Sequence, residues 1–267
     1  MLNSPQNNAD EGASFVPRNI VTEDDLLDFI RVTFPLFSAS DISKLLYYYS
    51  STNASVNPSA TLFSTPGNVL GAPNAINQSA VATEQQQRAE AIYSESVITC
   101  PSYWLASSQA QRGEGHAAYK YQYSVPPATH AQDFSGYFGP LGTTPAQSVD
   151  FQLAFMAMLG NLVMNNDPSI SAIVANGNST GNTTAGNPAE AWPQYDNINH
   201  SMLNLNETGG TPESIVFPFS TSANGNVTQD VGPGLSNQFE VVDGYTWEAN
   251  RGARCDFWLG MAAKVPE

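Results

Sequence analysis

Tyr119-Lys120-Tyr121-Gln122-Tyr123-Ser124-Val125-Pro126-Pro127-Ala128-Thr129-His130-Ala131-Gln132-Asp133-Phe134 holds the change of period on which the reading of this chain turns. From Ala117 to Ser124 aromatic and polar residues alternate. A two-residue repeat sends successive side chains to opposite faces of a strand, so a strand with one buried face is predicted. Val125-Pro126-Pro127 ends it, because proline offers no N–H to a ladder and fixes its own φ. His130 then falls just beyond the C-terminal end of the strand.

Upstream of this strand the period is helical. Thr22-Glu23-Asp24-Asp25 resembles a capping box with Asp in place of Glu. Leu26, Leu27, Phe29, Ile30 and Phe34 follow at helical spacing until Pro35, which predicts a helix of about three turns. A second helix is expected from Ser40, with Ile42, Leu45 and Leu46 buried and Tyr47 to Tyr49 at its end. Ser50 to Val81, rich in Ser, Asn, Pro, Ala and Gly, reads as a long surface loop. Glu84 to Thr99 is a further helix, and Pro101 suits the first turn of the next, through Trp104 and Leu105.

Downstream, Val149 to Asn165 is apolar nearly all round and predicts a buried helix that ends at Asn165-Asn166-Asp167-Pro168. Ser169 to Glu190 reads as loop. Strands are expected at Ser201 to Asn206 and Ser214 to Phe219, and a last helix at Ala253 to Ala263. Alternating helices and strands place the chain in the α/β class, with too few strands for a complete doubly wound sheet.

With 267 residues, 41% of them hydrophobic, the chain can bury a sizeable core. Nine Lys plus Arg against a net charge of −15 form no basic stripe, so no nucleic-acid partner is expected. No window approaches the roughly 20 apolar residues of a membrane span, and Met1 to Asn8 has neither the basic nor the apolar region of a signal peptide. Seven N-x-S/T sequons, at Asn53, Asn77, Asn178, Asn182, Asn199, Asn206 and Asn226, point instead to the secretory route. Three isolated histidines and two isolated cysteines lack zinc-ligand spacing, so no metal or cofactor is expected. Cys100 and Cys255 are compatible with one disulfide, limiting the unfolded chain by about 4 to 5 kcal/mol in the chain-entropy model, or with two buried thiols.

A second segment, Asn7-Asn8-Ala9-Asp10-Glu11-Gly12-Ala13-Ser14-Phe15, joins the histidine segment in a pattern. The two resemble the acid loop and the histidine loop of type-B carboxylesterases, in which N-x-D-E-G follows one strand and Y-x-Y-x-F leads to an H-G or H-A-Q-D turn. Three further segments are similar to the family and occur in its order: Ile98-Thr99-Cys100-Pro101, the helix ending in Asn166-Asp167-Pro168, and Ala191-Trp192-Pro193-Gln194-Tyr195 with Met202 to Leu205. The resemblance covers nearly the whole chain. It implies that residues 1–267 are the C-terminal portion of one carboxylesterase domain of the α/β-hydrolase fold, an incomplete sheet with flanking helices and long loops.

What the resemblance implies for chemistry is a serine-esterase site in which Glu11 is the acid and His130 the general base. A buried carboxylate would hold one imidazole nitrogen while the other accepts the nucleophile's proton. The implied partner is a small-molecule or lipid ester, the implied setting of the full-length protein extracellular, and Cys100–Cys255 resembles a family bridge. Ala131 departs from the pattern, where many members have Gly. His116 and His200 read as surface residues.

The nucleophilic serine is missing. In this fold it precedes the acid in a G-x-S-x-G elbow, and ten residues before Glu11 leave no room for one. Gly177-Asn178-Ser179-Thr180-Gly181 matches literally, yet it follows the histidine and no helix can follow it, so it reads as surface loop. The chain alone is expected to be inactive. A noncatalytic esterase-like glycoprotein and an inactive truncated remnant are the alternatives.

Overall fold

Three short parallel strands set the frame: β1 (Gln6–Asn8), β2 (Tyr121–Tyr123) and β3 (Ser201–Thr208), in register Gln6↔Tyr121 and Tyr121↔Leu203. The computed structural model describes residues 5–51, 84–111, 117–142, 147–177, 185–220 and 223–266. Between β1 and β2 come α1 (Glu23–Thr33), α2 (Ala39–Tyr48), α3 (Glu84–Ser94) and α4 (Cys100–Ala110). Between β2 and β3 come α5 (Phe134–Phe138), α6 (Val149–Asn165) and α7 (Ala172–Asn176). A hairpin of β4 (Thr211–Ser220) and β5 (Ala223–Val231) stands apart, and β6 (Ser236–Asp243) returns antiparallel to β3. The main sheet has the order β1-β2-β3-β6, and α8 (Trp247–Met261) closes the chain.

Helix starts follow local chemistry. Thr22 and Ser38 each cap with a reciprocal box, to Asp25 and Asp41, so α2 begins at Ala39, one residue before the expected Ser40. Ser148 caps α6 through its side chain, and Asn166 ends it in the left-handed conformation at φ 56°. The expected helix from Glu84 runs through a wider π turn, Glu95–Thr99, straight into α4, whose first turn contains Pro101.

Two apolar layers sandwich the sheet. Tyr121, Tyr123, Leu203 and Leu205 pack with Phe151, Phe155 and Met158 of α6 on one face. On the other, Ala118, Met202 and Val242 meet Leu26, Ile30, Leu45, Ile92 and Trp258 from α1, α2, α3 and α8. A disulfide joins Cys100 to Cys255 within that second layer, so the free-thiol alternative is excluded. Across 155 residues it limits the unfolded chain by about 5 kcal/mol in the entropy model.

Several expectations need correction. The strand before the prolines is buried on both faces, because helices cover each side of a parallel sheet. Its polar face is accommodated by partners: Lys120 Nζ donates to Asn7 Oδ1 (2.9 Å) and Gln122 Nε2 to Glu248 Oε1 (2.7 Å). Helix α6 is not buried all round, since Leu153, Val163 and Met164 are exposed. The expected loop at Ser169 to Glu190 contains α7 and a 3-10 turn at Pro188–Ala191. The long loop expected at 50–81 apart from Ser50 and Ser51, His116 and most of the 177–181 match lie outside the described residues. His200 is half-buried against the rings of Tyr195 and Tyr245. Of the sequon asparagines, Asn199 is exposed, whereas Asn206 is buried in β3 and offers no accessible amide.

One packing feature makes stability depend on pH. Glu207, at the end of β3, is buried and accepts from the Ser148 N–H at the start of α6. Burial pushes its carboxyl up to about 7, and the bonds from Ser148 offset this only in part. The unfolded value lies near 4.3, so between about pH 4.3 and 7 the folded chain holds more protons and stability falls as pH rises. Glu207→Gln is expected to relieve about 3 kcal/mol at pH 7.5 and to flatten the slope in urea unfolding measured from pH 5 to 7.5. Equal slopes in the two proteins would contradict this origin.

Candidate functional site

Both chemistry-bearing loops leave the sheet at the same edge. Beyond β1 the backbone bridges the histidine loop: Asp10 N–H donates to the Ala128 carbonyl at 2.9 Å, and Asp10 pairs with Thr129 as a parallel bridge. The chain then makes a 3-10 turn, Glu11–Ser14. Gly12 is required there, because an added Cβ would lie 2.2 Å from the Glu90 carbonyl oxygen of α3. Beyond β2, Val125 and the cis Pro126–Pro127 bond lead into a tight turn with Ala128 at φ 49° and Ala131 at φ 65°.

These constraints bring together the two residues singled out in the sequence, although 118 residues separate them. Glu11 Oε2 lies 2.7 Å from His130 Nδ1, and Glu11 Oε1 accepts from the Asn8 N–H at 2.6 Å. Both oxygens of a nearly buried carboxylate are therefore engaged. Burial raises the Glu11 carboxyl, while the Asn8 N–H and His130 pull the other way. The His130 side chain keeps 47% of its exposure, with the Phe15 ring edge-on at 5.0 Å. Its Nε2 meets no partner among the described residues. A carboxylate at Nδ1 favours the tautomer with the proton on Nδ1, which leaves the Nε2 lone pair outward as a proton acceptor.

Behind this pair lies polar support that sequence reading did not single out. Asn8 Nδ2 donates to the Thr129 carbonyl at 2.6 Å and to Asp133 Oδ1 at 3.3 Å. Asp133 also accepts from Tyr137 (3.0 Å) and Tyr121 (3.3 Å); burial raises its carboxyl and these bonds counter the rise. Asp10, buried beside Glu11, is pushed well above the usual carboxylate range by burial and then by Glu90, against the pull of Arg18. The sequence signals for this layer were the N-x-D-E-G string, which placed an acid ahead of Glu11, and the last residue of the H-A-Q-D turn, Asp133; neither said what its carboxyl faces.

Ala131 stands in a conformation that costs an L-residue about 1 to 2 kcal/mol and glycine nothing. Ala131→Gly is accordingly expected to raise stability by about 1 kcal/mol, net of glycine's greater freedom in the unfolded chain. A thermal or urea midpoint that falls would show that the Ala131 methyl makes contacts worth more than the strain.

The crystal structure of Aspergillus niger EstA superposes with a TM-score of 0.52 at 14% sequence identity, over 97% of this chain and 40% of that one. The chain has an α/β-hydrolase-like fold. It spans 40% of the length of EstA, and identity this low carries the architecture alone. A scan against protein-family models and a search of curated proteins each found no match. The α/β-hydrolase-like frame places Glu11 and His130 past the C-terminal ends of adjacent parallel strands, the edge at which open α/β sheets keep their ligands. No described helix is long and apolar enough to cross a membrane.

Proposed function

We propose that this chain supplies the acid and the base of a serine-type carboxylic ester hydrolase, with Glu11 orienting His130 and His130 moving the proton. In this reading residues 1–267 form the C-terminal portion of a single type-B carboxylesterase domain, and the nucleophile and oxyanion donors lie outside them. The observation that carries the reading is the 2.7 Å contact between Glu11 and His130 Nδ1, on a ring whose other nitrogen faces outward. The α/β-hydrolase-like architecture shared with EstA supports it. The substrate is a small-molecule or lipid ester, and no cofactor is needed. The sequons and the disulfide favour an extracellular setting for the full-length protein.

The second reading is a noncatalytic esterase-like glycoprotein. Hydrolysis of p-nitrophenyl butyrate separates the two. The first reading expects turnover when a nucleophilic serine accompanies this chain, and its loss in His130→Ala. Turnover that His130→Ala leaves untouched would remove the histidine from the mechanism, and no turnover in any such polypeptide would favour the second reading.

A further inference from the structure

The turn that enters β3 carries the sequon Asn199-His200-Ser201 in a geometry that fixes its backbone and turns its amide outward. Asp196 Oδ1 accepts from the N–H groups of Ile198 and Asn199, each at 2.6 Å, and the Asp196 N–H donates to the Asn199 carbonyl at 3.0 Å. Asn199 is exposed, and Ile198 beside it is 87% exposed, so the amide opens on solvent. Its one side-chain bond is long: Asn199 Nδ2 donates to Asp196 Oδ2 at 3.4 Å. A primary amide has two N–H donors, so it keeps one for that bond after a sugar is joined to its nitrogen.

The other sequon with a described side chain has none of this. Asn206 is buried in the middle of β3, opposite Gln238 of β6, and its Oδ1 accepts from the Glu207 N–H at 2.9 Å. A sugar has no room there. Asn53, Asn77, Asn178 and Asn182 lie outside the described residues, as does the side chain of Asn226.

Position in the fold also suits a bulky group at Asn199. Because β1, β2 and β3 run parallel, their starts share one end of the sheet, and Glu11 and His130 follow the opposite end. Further strands of a larger sheet would join β1, which β2 separates from β3. The Gly244 N–H beyond β6 donates to the His200 carbonyl at 2.8 Å and ties the turn to the far side of the sheet. A glycan on this turn obstructs neither the acid and base nor the open edge of β1.

We propose that Asn199 is a site of N-glycosylation, an inference that rests on the extracellular reading given above. Transfer joins Nδ2 to the anomeric carbon of an N-acetylglucosamine at the reducing end of a lipid-linked oligosaccharide. The bond from that carbon to the lipid diphosphate breaks, the diphosphate leaves, and the amide gives up one proton. Ser201, half-buried at the first position of β3, supplies the hydroxyl that the sequon requires two residues beyond the asparagine.

Expression of residues 1–267 behind a cleavable secretory leader in yeast tests the site, and removal of the leader shows that the chain has entered the route. Release of the glycans by peptide N-glycosidase in heavy-oxygen water leaves a labelled aspartate at every occupied asparagine. Chymotryptic cleavage after Tyr195 and Leu203 separates Asn199 from Asn206. Label is expected at position 199 and not at position 206. Asn199→Gln and Ser201→Ala each lose one glycan on a denaturing gel, the second while keeping the asparagine. A leader-processed chain without label at position 199, or with label at position 206 in its place, overturns the proposal. Since the added leader supplies entry, that failure differs from failure of the extracellular reading, which would show as absence of the native full-length protein from the medium of its own cells.

Discussion

His130→Ala will lower kcat for p-nitrophenyl butyrate by about a million-fold in a polypeptide that joins this chain to a nucleophilic serine, and will leave KM nearly unchanged. The magnitude follows from the role. A serine hydroxyl is a poor nucleophile until a base takes its proton, and losing the base costs about as much as losing the whole catalytic unit. Glu11→Gln is expected to cost less, about ten-thousand-fold, because the ring stays in place while its preferred tautomer is lost. Gln can still accept from the Asn8 N–H, which holds Glu11 Oε1 at 2.6 Å, so the turn should survive the change. The double variant is the sharper test. Residues acting as one unit are not additive, so Glu11→Gln with His130→Ala should be no slower than His130→Ala alone. Multiplying effects would mean that the two side chains work separately, and the 2.7 Å contact would then be only structural.

The sequence disclosed those two residues for a physical reason that did not extend to their surroundings. Alternation before Pro126-Pro127 and the acid before Gly12 are local signals, and each marks a loop that leaves a strand. Capping boxes at Thr22 and the apolar run from Val149 are local as well, and the bounds of α1 and α6 follow from them closely. Burial of the second strand face was not local. Lys120, Gln122 and Ser124 read as solvent-facing until Asn7, Glu248 and Asn204 arrive from distant segments to bond them. β5 was missed because Asn, Gly, Thr and Gln dominate Ala223–Val231, and its pairing with β4 rather than its composition makes it a strand. The roles of Glu90 and Asp133 were hidden for the same reason, since what matters about each is the tertiary neighbour that sequence spacing does not encode.

Arg254→Met is expected to destabilise the fold by about 3 to 5 kcal/mol at pH 7, a fall of roughly 10 to 15 °C in Tm for a chain of this size. Glu95, on the π turn between α3 and α4, is completely enclosed. Arg254 grips it with two bonds of 2.7 Å, Tyr49 donates at 2.5 Å, and Arg251 approaches at 3.4 Å. Burial alone would raise the Glu95 carboxyl; the Arg254 guanidinium outweighs it, and the net direction is downward. The same guanidinium bonds the carbonyls of Glu248 and Ala249, where three successive residues of α8 hold a left-handed turn at φ 45°, 61° and 62°. Such a turn costs about 1 to 2 kcal/mol per residue and needs outside support. Removing Arg254 therefore leaves a buried charge poorly compensated and frees a strained segment at once. The pH dependence identifies the charge. In the native chain the pair stabilises fully above the ordinary carboxylate range and is lost as pH falls through the lowered value of Glu95. In Arg254→Met burial acts with less opposition, so protonation favours the folded variant as pH falls from 7 towards 4.5, and the gap between the two proteins should narrow. Glu95→Gln combined with Arg254→Met should recover a large part of the loss at pH 7, because no buried charge remains. Thermal melts of the three proteins at pH 7 and 4.5 settle the matter: a gap that widens on acidification, or a double variant no more stable than Arg254→Met, would assign the loss to the turn in α8 rather than to the ion pair.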